Sequence, residues 1–253
     1  MIYRALTLFN ILKQDILSQD ILDIKGIKIP NFFQIDASLQ WEFCHQFIEL
    51  YEDWILNPNG HFFYESDNIQ ISENDIIFDC GANMGMFAAY AASKGAKVYC
   101  FEPSPFTQKL LQKTQKIYPN NIIIIPKAIS CQSGTELFCE TDNIGANHLA
   151  SSVMQEQLQT INLLEVDTIS ISDFVKEQNI IPTYIKIDIE GSERNLLKGA
   201  KTFFENYNPK IVMAIYHNSY DANVFISYFS NLNYKYQIDK GNLFLWKNNE
   251  EEI

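Results

Sequence analysis

The chain has 253 residues and a mass of 29.3 kDa; 47% of its residues are hydrophobic and 20% charged. That much apolar surface offsets the entropy of ordering, so a disordered chain is excluded. The 19 Lys and Arg stand against 31 Asp and Glu, a formal net charge of −12, which argues against holding nucleic acid over a broad surface, a task that needs clustered cations.

Residues 1 to about 22 place Leu6, Phe9, Leu12, Ile16 and Leu17 at helical spacing. Lys13, Asp15 and Asp20 interrupt them, so no signal peptide is expected. No stretch approaches the roughly 18 apolar residues of a membrane helix, so no span is expected. The segment Gly26 to Phe33 reads as extended or loop, broken by Pro30. From Leu39 to Leu56, Trp41, Cys44, Phe47, Ile48, Tyr51 and Ile55 follow the helical period, and Asn57-Pro58-Asn59-Gly60 stops it. Residues 1–70 are therefore expected to form a helical extension, and 71–253 a separate unit. Tyr51, Trp54, Phe62, Phe63 and Tyr64 would be either the core of that extension or an aromatic wall over a site.

The pattern then changes. Ile76-Ile77-Phe78 is a short strand ending at Asp79. Met84 to Lys94 is almost wholly apolar, a buried helix with Gly95 as its C-cap. Lys97 to Phe101 is a second strand, Pro105 to Ile117 a helix, and Ile122 to Ile125 a third strand. Residues 135–139 and 162–166 are weaker strands around a loop at 140–160, whose segment from Asn143 to Ser152 is polar, as an acceptor loop would be. Ser170-x-x-Asp173 starts a helix with a capping-box pattern, Asp replacing the usual Glu. Tyr184 to Asp188 and Ile211 to Ile215 are strands; Ser192 to Lys198, extended to about Asn206, and Asp221 to Ser230 are helices. Tyr234 to Ile238 and Leu243 to Trp246 close the chain as a hairpin. Strands alternating with helices predict a parallel sheet covered on both faces, with ligands at its carboxyl edge.

Chemistry concentrates at that edge. The turn Asp79-Cys80-Gly81-Ala82-Asn83-Met84-Gly85 offers glycines for close backbone approach and free N–H groups at a helix start. The next strand ends Phe101-Glu102-Pro103, where a carboxylate can accept both hydroxyls of a ribose. The turn reads DxGxNxG, not the GxGxxG of nicotinamide folds. An Asp there would repel a pyrophosphate, whereas the sulfonium and ammonium of S-adenosylmethionine suit it. Asp188, Glu190 and Glu193 crowd one further strand end. Such carboxylates raise one another's pKa unless a cation neutralises them: Lys186, the sulfonium or a divalent metal such as Mg²⁺. His217 ends the strand after that and would stand beside Asp188, as a proton acceptor or, with Asp188 and Glu190, as a metal ligand. His45, His61 and His148 read as structural. The five cysteines show no zinc or disulfide spacing, which suggests reduced thiols in a cytoplasmic protein.

Three blocks resemble the FkbM family of S-adenosylmethionine-dependent methyltransferases. They are Ile76 to Gly85 with Phe101-Glu102-Pro103; Tyr184 to Glu193 (YIKIDIEGSE) followed by Leu196-Leu197-Lys198-Gly199-Ala200; and Ala214 to Asn218. The likeness covers roughly 60–246. It implies a Rossmann-like class I fold of seven strands, the last antiparallel, and methyl transfer to a hydroxyl of a sugar, polyketide or other natural product. It implies that Asp79, Gly81, Ala82, Asn83 and Gly85 meet the methionine half of the cofactor and Glu102 its ribose. Pro103, Ser104, Lys127 and Ala128 would border the adenine, and Asp188 would face the methyl donor. Asp188, Glu190, His217 and Lys186 are the catalytic candidates. Small-molecule or glycan acceptors are the expected partners, with the extension contributing substrate or homo-oligomer contacts. The rival readings are a binding module that has lost catalysis and an NAD-dependent oxidoreductase.

Overall fold

The computed structural model describes residues 19–24, 26–32, 63–141, 146–152, 162–218 and 220–247. The first elements among the described residues are β1 (Ile21–Ile24) and β2 (Ile27–Pro30), an antiparallel hairpin. Helical character therefore does not extend through the stretch expected to be a helical extension. The reason is a period of two: Leu22, Ile24, Ile27 and Ile29 point inward, while Asp23 and Lys28 point out. The helical readings at 1–18 and 39–56 lie outside the described residues, as do Tyr51, Trp54, Phe62, His45 and His61.

The alternating part follows as β3 (Ile76–Cys80), α1 (Met86–Ser93), β4 (Lys97–Phe101), α2 (Pro105–Ile117) and β5 (Ile122–Ile125). Then come β6 (Ala128–Ile129), β7 (Gly134–Glu140), β8 (His148–Leu149), β9 (Asn162–Ile169) and α3 (Ile171–Gln178). The chain returns through β10 (Tyr184–Ile187), α4 (Glu193–Gly199), α5 (Lys201–Asn206), β11 (Lys210–Ala214) and α6 (Asp221–Ser230), and ends in β12 (Lys235–Asp239) and β13 (Asn242–Trp246). Seven strands form one sheet in the order β12-β13-β11-β10-β3-β4-β5. β13, the last in the chain, runs antiparallel to both neighbours, and β3, β4, β5, β10 and β11 are mutually parallel. The expected fold is the observed one. Strands β6, β9, β7 and β8 make a second, small sheet, with β8 rising from the loop read as an acceptor segment.

Two apolar layers hold the main sheet. On one, α1 is buried from Met86 to Ala92 because β4 and β5 lie on one side of it and β2 on another. The hairpin supplies Ile27, Ile29 and Phe32 to that layer, essentially without exposure. On the other, Phe78, Tyr99, Phe101 and Phe174 meet edge to face, the favoured aromatic geometry. At the amino ends of the strands, buried Asp75 ties three elements together. It accepts from Lys210 Nζ (2.7 Å), Thr183 Oγ1 (2.7 Å) and the Ser72 N–H (2.7 Å). From β3 the chain first moves outward through β4 and β5, then returns to the other side at β10. The crevice between β3 and β10 is thus the topological switch point, where open α/β sheets place ligands. Among the described residues no helix is long and apolar enough to cross a membrane.

Candidate active site

The turn after β3 is built on left-handed backbone: Gly81, Asn83 and Gly85 have φ of 84°, 51° and 87°. A Cβ on Gly81 would lie 1.9 Å from the Asp188 carbonyl oxygen, and one on Gly85 2.6 Å from Leu111 Cδ1. Glycine is required at both because the end of β10 and helix α2 press directly against the turn. The Gly81 and Ala82 N–H groups donate to the Phe101 carbonyl (3.2 and 3.1 Å), which fixes the turn to the end of β4. Gly85 is the N-cap of α1, so the helix opens at this edge.

Asp79 does not face outward as its place at the turn suggests. It is fully buried, and Lys186 Nζ stands 3.2 Å from its Oδ1. Lys186, also buried, donates to the Gly81 carbonyl at 2.7 Å. Burial opposes the charge on Lys186, but Asp79 and Asp188 outweigh it and hold the ammonium above its usual range. Lys186 therefore cross-links β10 to the turn and pairs with Asp79 beneath it.

Glu102, past the end of β4, reaches back to the turn. Its Oε2 accepts from the Asn83 N–H (3.0 Å) and its Oε1 from the Ser104 N–H (2.9 Å). Burial pushes its carboxyl up to about 7, against those two N–H groups. Ser104 is spent on structure: its side chain accepts from the Thr107 N–H (3.1 Å) as the N-cap of α2 and donates to Glu140. Lys127 follows the end of β5 at the same edge, while Ala128 turns into the small sheet, opposite Thr168 of β9.

The third group gathers at the ends of β10 and β11. The Asp188 N–H donates to the Cys80 carbonyl (3.1 Å), which sets this carboxylate beside the turn. His217 Nε2 lies 3.5 Å from Asp188 Oδ1 and 3.3 Å from Glu190 Oε2, and its Nδ1 2.9 Å from Glu193 Oε1. Glu193 is fully buried and also accepts from the Ile189 N–H (3.2 Å). Burial pulls the His217 imidazole down, but Glu190 and Glu193 prevail and hold it at about 10. The carboxylates around it thus favour its protonated form. Asp188, Glu190 and His217 each offer one ligand atom, all within 4.8 Å of one another, a set of hard oxygen and imidazole donors that suits a divalent cation.

Two tyrosines without an assigned role complete the group. Tyr64 donates to Asp188 Oδ2 (2.9 Å), and Tyr216 approaches both Asp188 oxygens (3.1 and 3.2 Å). Tyr216 sits in the third block beside His217, which was its available signal; Tyr64 has none beyond an aromatic run. His148, by contrast, lies in β8 with Nδ1 2.7 Å from the Ala146 carbonyl, a structural place. Among the described residues the cysteines are free, and Cys80 and Cys100 are buried thiols pushed up by burial.

Strand order, switch-point turn and strand-end carboxylates together define a class I methyltransferase fold. The methyltransferase FkbM domain matches residues 79–236, and the chain belongs to that family. It is 32% identical to the hexuronic acid methyltransferase AglP of Haloferax volcanii over 143 residues, 56% of this chain and 57% of that protein. It is 24% identical to the 31-O-demethyl-FK506 methyltransferase FkbM of Streptomyces tacrolimicus over 166 residues, 54% of this chain and 64% of that one. The chain thus spans less than two thirds of the length of these curated relatives. A solved methyltransferase FkbM from Methylobacillus flagellatus KT superposes with a TM-score of 0.54 at 20% identity, over 73% of this chain and 46% of that one.

Proposed function

We propose that the protein is an S-adenosylmethionine-dependent methyltransferase that methylates an oxygen, most simply a hydroxyl, of a sugar or other glycan or natural-product acceptor. The observation that carries this reading is the placing of Asp188 beside the glycine turn, one strand from Glu102. An acceptor carboxylate for a ribose and a carboxylate for the reacting centre then flank one crevice. The donor set fits the cofactor. The edge is rich in carboxylates, and the buried ammonium of Lys186 is occupied by Asp79 and Gly81, so the edge suits a cationic ligand better than a pyrophosphate.

When bound, S-adenosylmethionine supplies an electrophilic methyl group. Glu102 accepts from the ribose hydroxyls, and the Gly81–Gly85 backbone lets the methionine half approach. Asp188 orients the acceptor hydroxyl and takes its proton as the oxygen attacks. His217, held by Glu193, balances the negative charge around Asp188. The residues' main contribution is alignment, the largest single saving open to a two-substrate reaction. A second reading rests on the spacing of Asp188, Glu190 and His217: a divalent cation held there would lower the pKa of the hydroxyl. The hexuronic acid named in one relative supports a sugar acceptor.

The test is transfer of a labelled methyl group from S-adenosylmethionine to a panel of uronic acids and neutral glycosides, with and without exhaustive chelation. Label in a saccharide product, lost in Asp188→Ala, supports the reading. Tight cofactor binding with no product on any acceptor favours the binding module. Full turnover after chelation removes the metal.

A further inference from the structure

We infer that Tyr64 is a positioning residue of this site, holding the Asp188 carboxylate toward the methyl-donor position. The inference rests on the methyltransferase reading above; Tyr64 lies before residues 79–236, the stretch that matches the methyltransferase FkbM domain, and in none of the three blocks that carry the resemblance.

The geometry is specific. The Tyr64 hydroxyl donates to Asp188 Oδ2 at 2.9 Å. Its ring lies under Lys186 Nζ, 5.4 Å from the centroid, the distance of a cation–π contact. One side chain thus touches both charged residues of the end of β10, the ammonium through its face and the carboxylate through its edge. The ring is itself fixed, edge to face with Phe87 of α1 (5.2 Å) and with Phe63 (4.9 Å).

The backbone that carries Tyr64 is fastened from several sides. Its carbonyl accepts from the Tyr184 hydroxyl of β10. The preceding carbonyl, of Phe63, accepts from Asn242 Nδ2 of β13 at 3.0 Å. The next residue, Glu65, is buried and accepts from the Ile71 N–H (2.7 Å), Tyr90 Oη (2.5 Å) and Lys94 Nζ (2.6 Å). The phenol is therefore presented by a rigid support, the condition for holding a reacting group in one orientation. A merely packed tyrosine at the rim would need neither the hydroxyl contact nor an anchored backbone. The Asp188 side chain is 14% exposed, with Tyr216 and His217 against it as well. The phenol fixes the Oδ2 end of that carboxylate.

The test uses the full chain and needs no acceptor. Calorimetry compares S-adenosylhomocysteine, which carries nothing at the methyl position, with sinefungin, which carries a protonated amine there. In Tyr64→Phe the ring remains and only the hydroxyl is lost. The expected result is a sinefungin affinity about tenfold weaker, the scale of one hydrogen bond to a charged group, with S-adenosylhomocysteine affinity and melting temperature unchanged. A merely structural role would weaken both ligands together and lower the melting temperature, and that overturns the inference. So does an unchanged ratio of the two affinities, or a ratio that falls in Tyr216→Phe and not in Tyr64→Phe. Wild-type protein that binds neither ligand overturns the cofactor reading itself, and is told apart because the variants are then not reached.

Discussion

Glu102 shows how one residue joins fold and function. Its oxygens hold the turn through Asn83 and the start of α2 through Ser104, and its burial sets the carboxyl at about 7. Ribose hydroxyls donate, so they prefer the ionised form. Affinity for S-adenosylhomocysteine should therefore rise by about tenfold between pH 6 and 8, as the ionised fraction rises from about a tenth to about nine tenths. Glu102→Gln, which shares every other titration, should show no such rise; calorimetry at the two pH values checks it. Glu102, Asp188 and His217 were legible in the sequence because each ends a short apolar run, and strand ends share one edge. The inward turn of Asp79 was not, because it depends on Lys186 crossing from a strand more than a hundred residues away. The charge state of His217 was not either: it depends on Glu193, which the sequence shows as a helix-start residue and the fold brings within 2.9 Å.

The strands and helices of the main sheet from β3 onward follow from periodicity and turn chemistry, and the helix bounds at Pro105–Ile117 and Asp221–Ser230 agree with the sequence reading; the two-residue strands β6 and β8 do not, being too short to carry a period. The hairpin β1–β2 was legible only in part: Gly26 to Phe33 reads as extended or loop, but the four residues of β1 are too few to separate a period of two from the helical spacing that precedes them. Its inward residues complete the layer over α1. Ile29→Ala should therefore cost about 2–5 kcal/mol, the range for truncating a buried Ile, measured by urea unfolding. Asp75 makes the opposite kind of tie, polar and at the amino ends. Burial raises its pKa, but Lys210, Thr183 and Ser72 outweigh that and leave the carboxyl below its usual range. A depressed carboxylate stabilises fully above its unfolded pKa, near 4, and that contribution is lost as pH falls through the folded value. Asp75→Asn should thus destabilise the protein by about 2 kcal/mol at neutral pH and flatten the loss of stability below about pH 4, seen in melting temperatures from pH 3 to 7.

Over the whole molecule, the strand order that makes the β3–β10 crevice also decides which carboxylates meet there. Asp79, Glu102, Asp188, Glu190 and Glu193 come from the ends or following turns of β3, β4 and β10, and His217 from that of β11. Asp79 is taken up by Lys186 and Glu193 by His217, which leaves Glu102, Asp188 and Glu190 as the carboxylates of the edge proposed to favour a cationic methyl donor over a pyrophosphate. Binding of S-adenosylhomocysteine against NADH to the full chain, followed by calorimetry, tests that claim most directly. The account predicts saturable binding of S-adenosylhomocysteine at one site, weakened in Glu102→Ala, and no displacement by NADH. NADH that displaces bound S-adenosylhomocysteine, or no saturable binding of S-adenosylhomocysteine, would contradict it.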